Sequence, residues 1–377
     1  MNKTLHLLAC LLTLCTLDTG CRRTSEDTKS PPVDFTSAVL RWFSSMQLEN
    51  GLLESSPGSN FVSLYDNSLS ALVFISNNDL KRAESIFDFF NNNIDNEFLS
   101  GTGGFSQFRD RYGVPFGGGY WLGDNAWLLI ALNNYRAKTG SDKYSRLSSV
   151  IQNWIRSLQD STDGSVWSGY TNGIRTGQVT ENMIDAFNAM SGYDDFHRSL
   201  LSYFKNYRWD SVDKLLVSWP GSRYKYALDN FTWGFCSLED LPSSVLEKAK
   251  MFETTQKNTL SGIFITGYCM DIDDDVVWIE GTGQMAVAFH KALQEDKKNR
   301  YLSEIQNTLI KVNDTIYGIP YTTNFGTSYG DGLLWTGVDT APCVSSAAWY
   351  IFAKSGFDPL QVGYVKNIPE ADKFWLQ

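Results

Sequence analysis

Gly123-Asp124-Asn125-Ala126-Trp127-Leu128-Leu129-Ile130-Ala131-Leu132 opens on an acid and an amide, then runs apolar on every side. A helix of that composition has no face to offer water, so it belongs inside a shell of other helices. Five further segments repeat the pattern: Tyr65 to Phe74, Thr180 to Phe187, Leu228 to Phe235, Ile279 to Phe289 and Val344 to Ala353. Amphipathic segments with one charged face alternate with them: Thr36 to Gln47, Leu80 to Asn93, Lys143 to Gln159, Asp194 to Tyr207, Pro242 to Gln256 and Lys297 to Val312. Aligned on Asp66, Asp124, Glu181, Asp229 and Glu280, the apolar segments recur at steps of 58, 57, 48 and 51 residues. That is a helix-pair period. One pair cannot bury its apolar face alone, whereas six in a ring bury an inner cylinder inside an outer one. The expectation is an all-α fold, an (α/α)6 toroid of six helical hairpins.

The 377 residues then divide into a leader, a tether and a single toroid domain from residue 34 to 377. Residues 1–20 carry Lys3 and an apolar run from Leu5 to Leu17, the proportions of a signal peptide and too short for a stable bilayer span. Gly20-Cys21 resembles a bacterial lipoprotein cleavage box, with Asp18 in place of the usual aliphatic residue. Acylated Cys21 would anchor the chain to the cell envelope, through residues 21–33 as a flexible tether. Ordinary signal cleavage, giving a secreted or periplasmic protein, is the alternative.

A net charge of -10 with no basic stripe argues against nucleic-acid binding. Only three histidines occur, His6, His197 and His290, far apart in the chain. Zinc sites and Ser/His/Asp chemistry are thereby disfavoured. No cofactor and no metal is expected, since Gly117-Gly118-Gly119 lacks a following Gly-Lys-Ser/Thr. Asp271-Ile272-Asp273-Asp274-Asp275 reads as a solvated acidic loop, with calcium as an option. Cys236, Cys269 and Cys343 allow at most one disulfide. A monomer is expected.

Connections from inner to outer segments are short, while those from outer to inner are long and must gather at one end of the ring, where a cleft would form. Six of the 12 tryptophans fall in these long loops, Trp121, Trp167, Trp209, Trp219, Trp278 and Trp335, interleaved with Gly and Tyr residues such as Tyr120. An indole face suits the C–H face of a sugar ring, while neighbouring amides and carboxylates reach its hydroxyls. Packing of loop on loop accounts for such residues equally well, and half are expected in each role. Tyr120, Trp121, Trp167, Trp219, Asp229, Trp278, Gln284 and Trp335 are the candidate sugar-binding residues.

The acids at the inner-segment starts have two readings as well. Asp at a helix start is a favoured cap, yet capping does not explain the Asn or Gly that follows each acid. Glycoside cleavage needs one protonated and one ionised carboxyl, at a separation that sets inversion or retention. Glu280, flanked by Trp278 and Ile279, is the expected acid; Asp124, favoured in its ionised form if it caps its helix, is the expected base. Glu181 and Asp66 could substitute in either role.

With Tyr65-Asp66-Asn67, Gly123-Asp124-Asn125-Ala126-Trp127 and Trp278-Ile279-Glu280-Gly281-Thr282-Gly283-Gln284, the chain resembles the six-hairpin glycosidase superfamily over about Phe35 to Leu360. The second segment is similar to the Asp-Asp-x-x-Trp segment of bacterial endo-α-1,6-mannanases; Gly123 stands at the first aspartate, so only Asp124 and Trp127 carry over. The resemblance implies a glycoside hydrolase acting on a poly- or oligosaccharide. Two other readings stay open: a non-catalytic glycan-binding lipoprotein, and a polysaccharide lyase with a tyrosine base, for example Tyr120 or Tyr268.

Overall fold

The computed structural model describes residues 34–326, 337–361 and 365–377. The leader, the tether, Cys21 and Trp335 lie outside the described residues. Twelve α-helices occur among the described residues, in two concentric sets. The inner set is α2 (Leu64–Ser76), α4 (Leu122–Thr139), α6 (Thr180–Ala189), α8 (Leu228–Ser237), α10 (Ile279–Lys291) and α12 (Val344–Ser355). Each packs against the next, and α12 returns to α2 to close the ring. The outer set is α1 (Phe35–Met46), α3 (Leu80–Asn92), α5 (Ser145–Ser157), α7 (Asp195–Tyr203), α9 (Ser244–Lys248) and α11 (Glu295–Gln306). Each inner helix is backed by the outer helix that follows it, except that α12 is backed by α1. The first and last helices are therefore partners, and the fold is the (α/α)6 toroid expected from the repeat.

Two features differ from expectation. The segment read as a helix from Pro242 to Gln256 is helical only through α9 and one 3₁₀ turn, Ala249–Phe252. Thr254 and Thr255 then pair as β9 (Glu253–Lys257) with β10 (Phe264–Tyr268), because β-branched side chains fit a pleated ribbon better than a helix. The long loops, expected to be structureless, carry ten further short strands and form small antiparallel sheets. One joins Val62–Ser63, Phe108–Arg109 and Pro115–Phe116; another joins Gly119–Trp121, Gly169–Thr171 and Ile174–Arg175. Successive loops are thus tied to one another over one end of the ring. At the other end, Asn134 of α4 and Asn188 of α6 donate to the carbonyls of Pro359 and Leu360, at 3.0 and 2.9 Å, fastening the C-terminal segment across the inner helices. Cys236, Cys269 and Cys343 are buried free thiols. No helix among the described residues is long and apolar enough to cross a membrane.

The residue at the fourth position of an inner helix explains the acid–amide pairs Asp66-Asn67 and Asp124-Asn125. Asn67 accepts from the Leu53 N–H at 2.8 Å and donates to the Leu53 and Ser63 carbonyls at 3.0 and 2.8 Å. Asn125 does the same for Phe105, at 2.9 and 3.1 Å, and donates to the Trp121 carbonyl at 2.9 Å. In the third repeat Met183 Sδ accepts from Val166 N–H at 3.4 Å. In the fifth, Thr282 Oγ1 accepts from Tyr268 N–H at 3.0 Å and donates to the Trp278 carbonyl at 2.9 Å. In four of the six repeats one side chain therefore satisfies the loop backbone where it crosses buried ground. Gly281 has a different cause: a Cβ there would sit 2.3 Å from Cε3 of Trp278.

Replacing Asn125 with Leu keeps the volume but strands the Phe105 N–H and carbonyl. Urea unfolding of Asn125→Leu is expected to show a loss of at least about 2 kcal/mol; a loss within error of zero would remove the loop-holding role.

Candidate active site

A cavity of ≈ 260 Å³ opens among the loops at the inner-helix starts, at the small end of ligand pockets, which run roughly 300–1,000 Å³. The second residue of every inner helix lines it: Tyr65, Gly123, Glu181, Asp229, Glu280 and Ser345. Residues one helical turn deeper fall on the same face, and three of these, Trp127, Asp185 and Trp233, also line it. Asp66, Asp124 and Asn182, at third positions, complete the ring, while Phe61, Gln107, Phe108, Trp121, Trp278 and Tyr321 come from the loops.

The acids are not caps. The cap positions are Ser63, Trp121, Val179, Ala227 and Trp278, and the acids lie inside the first turn at the second or third place. The premise that capping keeps Asp124 ionised fails with this geometry. Six carboxyls, those of Asp66, Asp124, Glu181, Asp185, Asp229 and Glu280, share the cavity, and among the described residues no Lys, Arg or His lines it. Burial pushes the carboxyl of Asp66 up to about 8, with the charges of Glu280 and Asp124 adding to the rise. Burial likewise raises Asp124, Glu181 and Glu280 to about 7. Asp185 and Asp229 are held well above the carboxylate range, first by burial and then by their acidic neighbours. Like charges in one low-dielectric space cannot all ionise, so the cluster holds protons near neutrality and titrates as a set.

Around Glu280 the surroundings differ. Its Oε1 accepts from Tyr65 Oη at 2.7 Å and from Gln284 Nε2 at 3.4 Å. These donors favour the ionised form and oppose the rise caused by burial. Glu280 is nevertheless raised by burial to about 7, below the value of about 8 for Asp66.

The cavity floor is aromatic. Trp127 and Trp233 meet edge to face at 5.4 Å, and Tyr65 lies 5.3 Å from Trp127 and 6.3 Å from Trp233. The buried Nδ2 of Asn182 and the indole N–H groups of Trp233 and Trp278 have no hydrogen-bond partner among the described residues. A polyhydroxylated ligand offers the acceptors they lack.

Of the residues singled out from sequence, Asp66, Asp124, Glu181, Glu280, Asp229, Trp121 and Trp278 come together here. Gln284 is buried beneath Glu280 and touches it rather than lining the cavity. Tyr120, Trp167 and Trp219 lie outside the lining: Tyr120 is partly buried against the core, Trp167 packs under Arg175 at 5.9 Å, and Trp219 is half-buried in its own turn. Trp127, Trp233 and Trp349 escaped the reading of the loops because they belong to inner helices. Their signal is spacing, each standing four places after the helix's second residue. Gly123 also has its reason: a Cβ there would lie 2.6 Å from Asn182 Oδ1 and 3.1 Å from Asp185 Oδ2. An aspartate at that position would need both side chains to move.

The Asp271–Asp275 loop stands apart from the cavity lining; Asp271 accepts from its own loop's Asp273 N–H at 2.9 Å. Among the described residues no group of three or more His, Cys, Asp or Glu side chains is placed to hold a metal ion.

No family model and no curated protein matches the sequence. Solved structures match it in fold. A glycosidase superposes in its wild-type form with a TM-score of 0.59 at 14% identity, covering 85% of this chain and 96% of that one. A variant titled as a glycosidase in complex with glucose gives 0.57 at 12%, over 87% and 96%. Cellobiose 2-epimerase from Bacillus thermoamylovorans gives 0.58 at 10%, over 84% and 95%, and an alpha-amylase from Clostridium perfringens 0.60 at 9%, over 85% and 96%. The chain thus shares nearly the whole toroid with sugar-processing enzymes, at identities that speak for the fold alone.

The raised carboxyls fix the sign of a pH effect. Between the ordinary carboxylate pKa of about 4 and the folded values of about 7 to 8, the folded chain binds more protons than the unfolded one. Stability contributed by these groups is therefore present in acid and lost as pH rises through that window. Asp185→Asn is expected to raise the thermal midpoint at about pH 8 and to leave it nearly unchanged at about pH 4. Calorimetry showing equal effects at both pH values would contradict a protonated Asp185.

Proposed function

We propose that the protein is a glycoside hydrolase that cleaves an uncharged poly- or oligosaccharide with a carboxyl pair drawn from Asp66, Asp124, Glu181 and Glu280. The observation that carries this reading is the set of six carboxyls over an aromatic floor in one cavity with no cation among them. The fold shared with a glycosidase and an alpha-amylase supports it.

Within the pair, Glu280 is the ionised partner, because donors converge on its Oε1. In this proposal Glu280 takes the ionised role in place of the acid role expected from sequence. Asp66 is the proton donor: the charge of Glu280 helps to keep it protonated. Protonation of the glycosidic oxygen by Asp66 and action of Glu280 on water or on the anomeric carbon then complete the reaction. Trp121, Trp127, Trp233 and Trp278 supply stacking faces, with Asp124, Glu181, Asp185, Asn182 and Asp229 as hydroxyl partners.

The lyase reading has less support. Tyr268 is buried, bonded to Tyr301 at 2.9 Å, and absent from the cavity lining, as is Tyr120. A uronate would also enter a wholly acidic pocket without a counter-charge. An epimerase with a histidine base has no such residue here: neither His197 nor His290 lines the cavity.

Incubation with a panel of neutral glycans should release new reducing ends. Glu280→Gln and Asp66→Asn are each expected to lower kcat by about 10²–10⁴-fold, the usual share of general acid–base catalysis. Asp124→Asn and Glu181→Gln rank the remaining carboxyls. Binding without release would favour the glycan-capturing alternative.

We also place the protein at the cell envelope through acylation of Cys21, on the support of Gly20-Cys21 and the apolar leader. Expressed from the full-length gene in a bacterium, it should partition into the membrane fraction, and Cys21→Ser should release it to the soluble fraction. An unmodified mature N-terminus by mass spectrometry would overturn the anchor.

A further inference from the structure

Four inner helices contribute to a hydrogen-bond relay that ends on Glu280. Trp349 Nε1 of α12 donates to Tyr65 Oη of α2 at 3.1 Å, and Tyr65 Oη donates to Glu280 Oε1 of α10 at 2.7 Å. From the other side, Thr232 Oγ1 of α8 donates to Gln284 Oε1 at 2.8 Å, and Gln284 Nε2 reaches the same Glu280 oxygen at 3.4 Å. The direction of the first branch is set by chemistry. An indole N–H can only donate, so it occupies a lone pair of the phenol and leaves the phenolic proton for Glu280. The Thr232 hydroxyl occupies the amide oxygen of Gln284 and turns the amide nitrogen toward Glu280. Both branches thus deliver protons to one carboxylate oxygen, which accepts them best when it carries none itself.

We propose that Tyr65 is a positioning residue that holds Glu280 as the ionised member of the carboxyl pair and fixes the orientation of its carboxylate. The proposal rests on the hydrolase reading of the same cavity and assigns a residue that the carboxyl pair alone does not include. The groups facing Glu280 from the packed elements are Asp66 and Tyr65 on α2, Asp229 on α8 and Cys343 ahead of α12. All are acids, and none supplies a positive charge. Hydrogen-bond donors, Tyr65 first and then Ser345, Gln284 and Trp349, are therefore what favours charge on Glu280, and the Tyr65 contact at 2.7 Å is shorter than the Gln284 contact at 3.4 Å. Burial holds the Tyr65 phenol well above its ordinary range, so it remains a donor throughout the working pH range.

The test is Tyr65→Phe, which keeps the ring contacts with Trp127 and Trp233 and removes only the hydroxyl. The acidic limb of the kcat/KM profile, which reports ionisation of Glu280, is expected to move to higher pH by about one unit, the size of effect that loss of a hydrogen bond to a charged group produces. Trp349→Phe should move it in the same direction by less. A purely structural role would lower thermal stability and leave the limb in place, and that result would overturn the proposal. A second readout is independent of turnover: ¹³C NMR titration of protein labelled at Glu side-chain carboxyls, with the Glu280 signal identified by its loss in Glu280→Gln. An unchanged Glu280 titration in Tyr65→Phe sinks the positioning role even if the enzyme is active. A shifted titration in a protein that releases no sugar from any glycan upholds it while the hydrolase reading falls.

Discussion

Two residues along an α-helix are about 200° apart around its axis, and the first turns of the inner helices are organised by that angle. The second residue faces the ring axis, as with Tyr65, Glu181, Asp229 and Glu280. The fourth faces nearly the opposite way and grips the incoming loop, as with Asn67, Asn125 and Thr282. The third, Asp66 or Asp124, lies between and still reaches the cavity. A shift of a helix start by one residue would turn the gripping side chain about 100° away from its loop. The helix starts are therefore fixed by two independent requirements, a satisfied loop backbone and a lined cavity.

That angle also explains what could and could not be read from the chain. Inner helices are legible because residues apolar on every side admit one environment, and the expected segments lie within the observed α2, α4, α6, α8, α10 and α12. Outer helices are legible by their wet stripe. Strands of two to five residues leave no period of their own: Val62 pairs with Arg109 and Gly119 with Thr171, partners fixed only when the ring has closed. Asp at a helix start is ambiguous in principle, because cap and cavity positions differ by two or three residues. Trp233 was hidden for a related reason: a tryptophan inside an apolar helix looks like core until the ring axis is known.

The surroundings of Glu280 were the least accessible property. Its sequence neighbours, Trp278 and Ile279, suggest an apolar setting and a retained proton. Its decisive partner, Tyr65, stands 215 positions away. A carboxyl's protonation state depends on donors within hydrogen-bond reach, and in a closed ring those come from helices far apart in sequence. Asp66 shows the converse: it sits beside a tyrosine and an asparagine, yet burial and two neighbouring charges raise it to about 8.

The first turn of α2 concentrates these constraints. Tyr65 contacts Glu280 across the ring, Asp66 offers a raised carboxyl to the cavity, and Asn67 ties down the chain at Leu53. Since the three are consecutive, the loop anchor at Asn67 sets the height and rotation of α2, and these set the separation of Asp66 from Glu280. The long loops consequently do more than cover the mouth. By pinning the inner helices at their fourth residues, they hold the acid-bearing second and third residues in register around the axis. This accounts for the anchor recurring in repeats one, two, three and five with different chemistry, Asn, Asn, Met and Thr, while the acids remain.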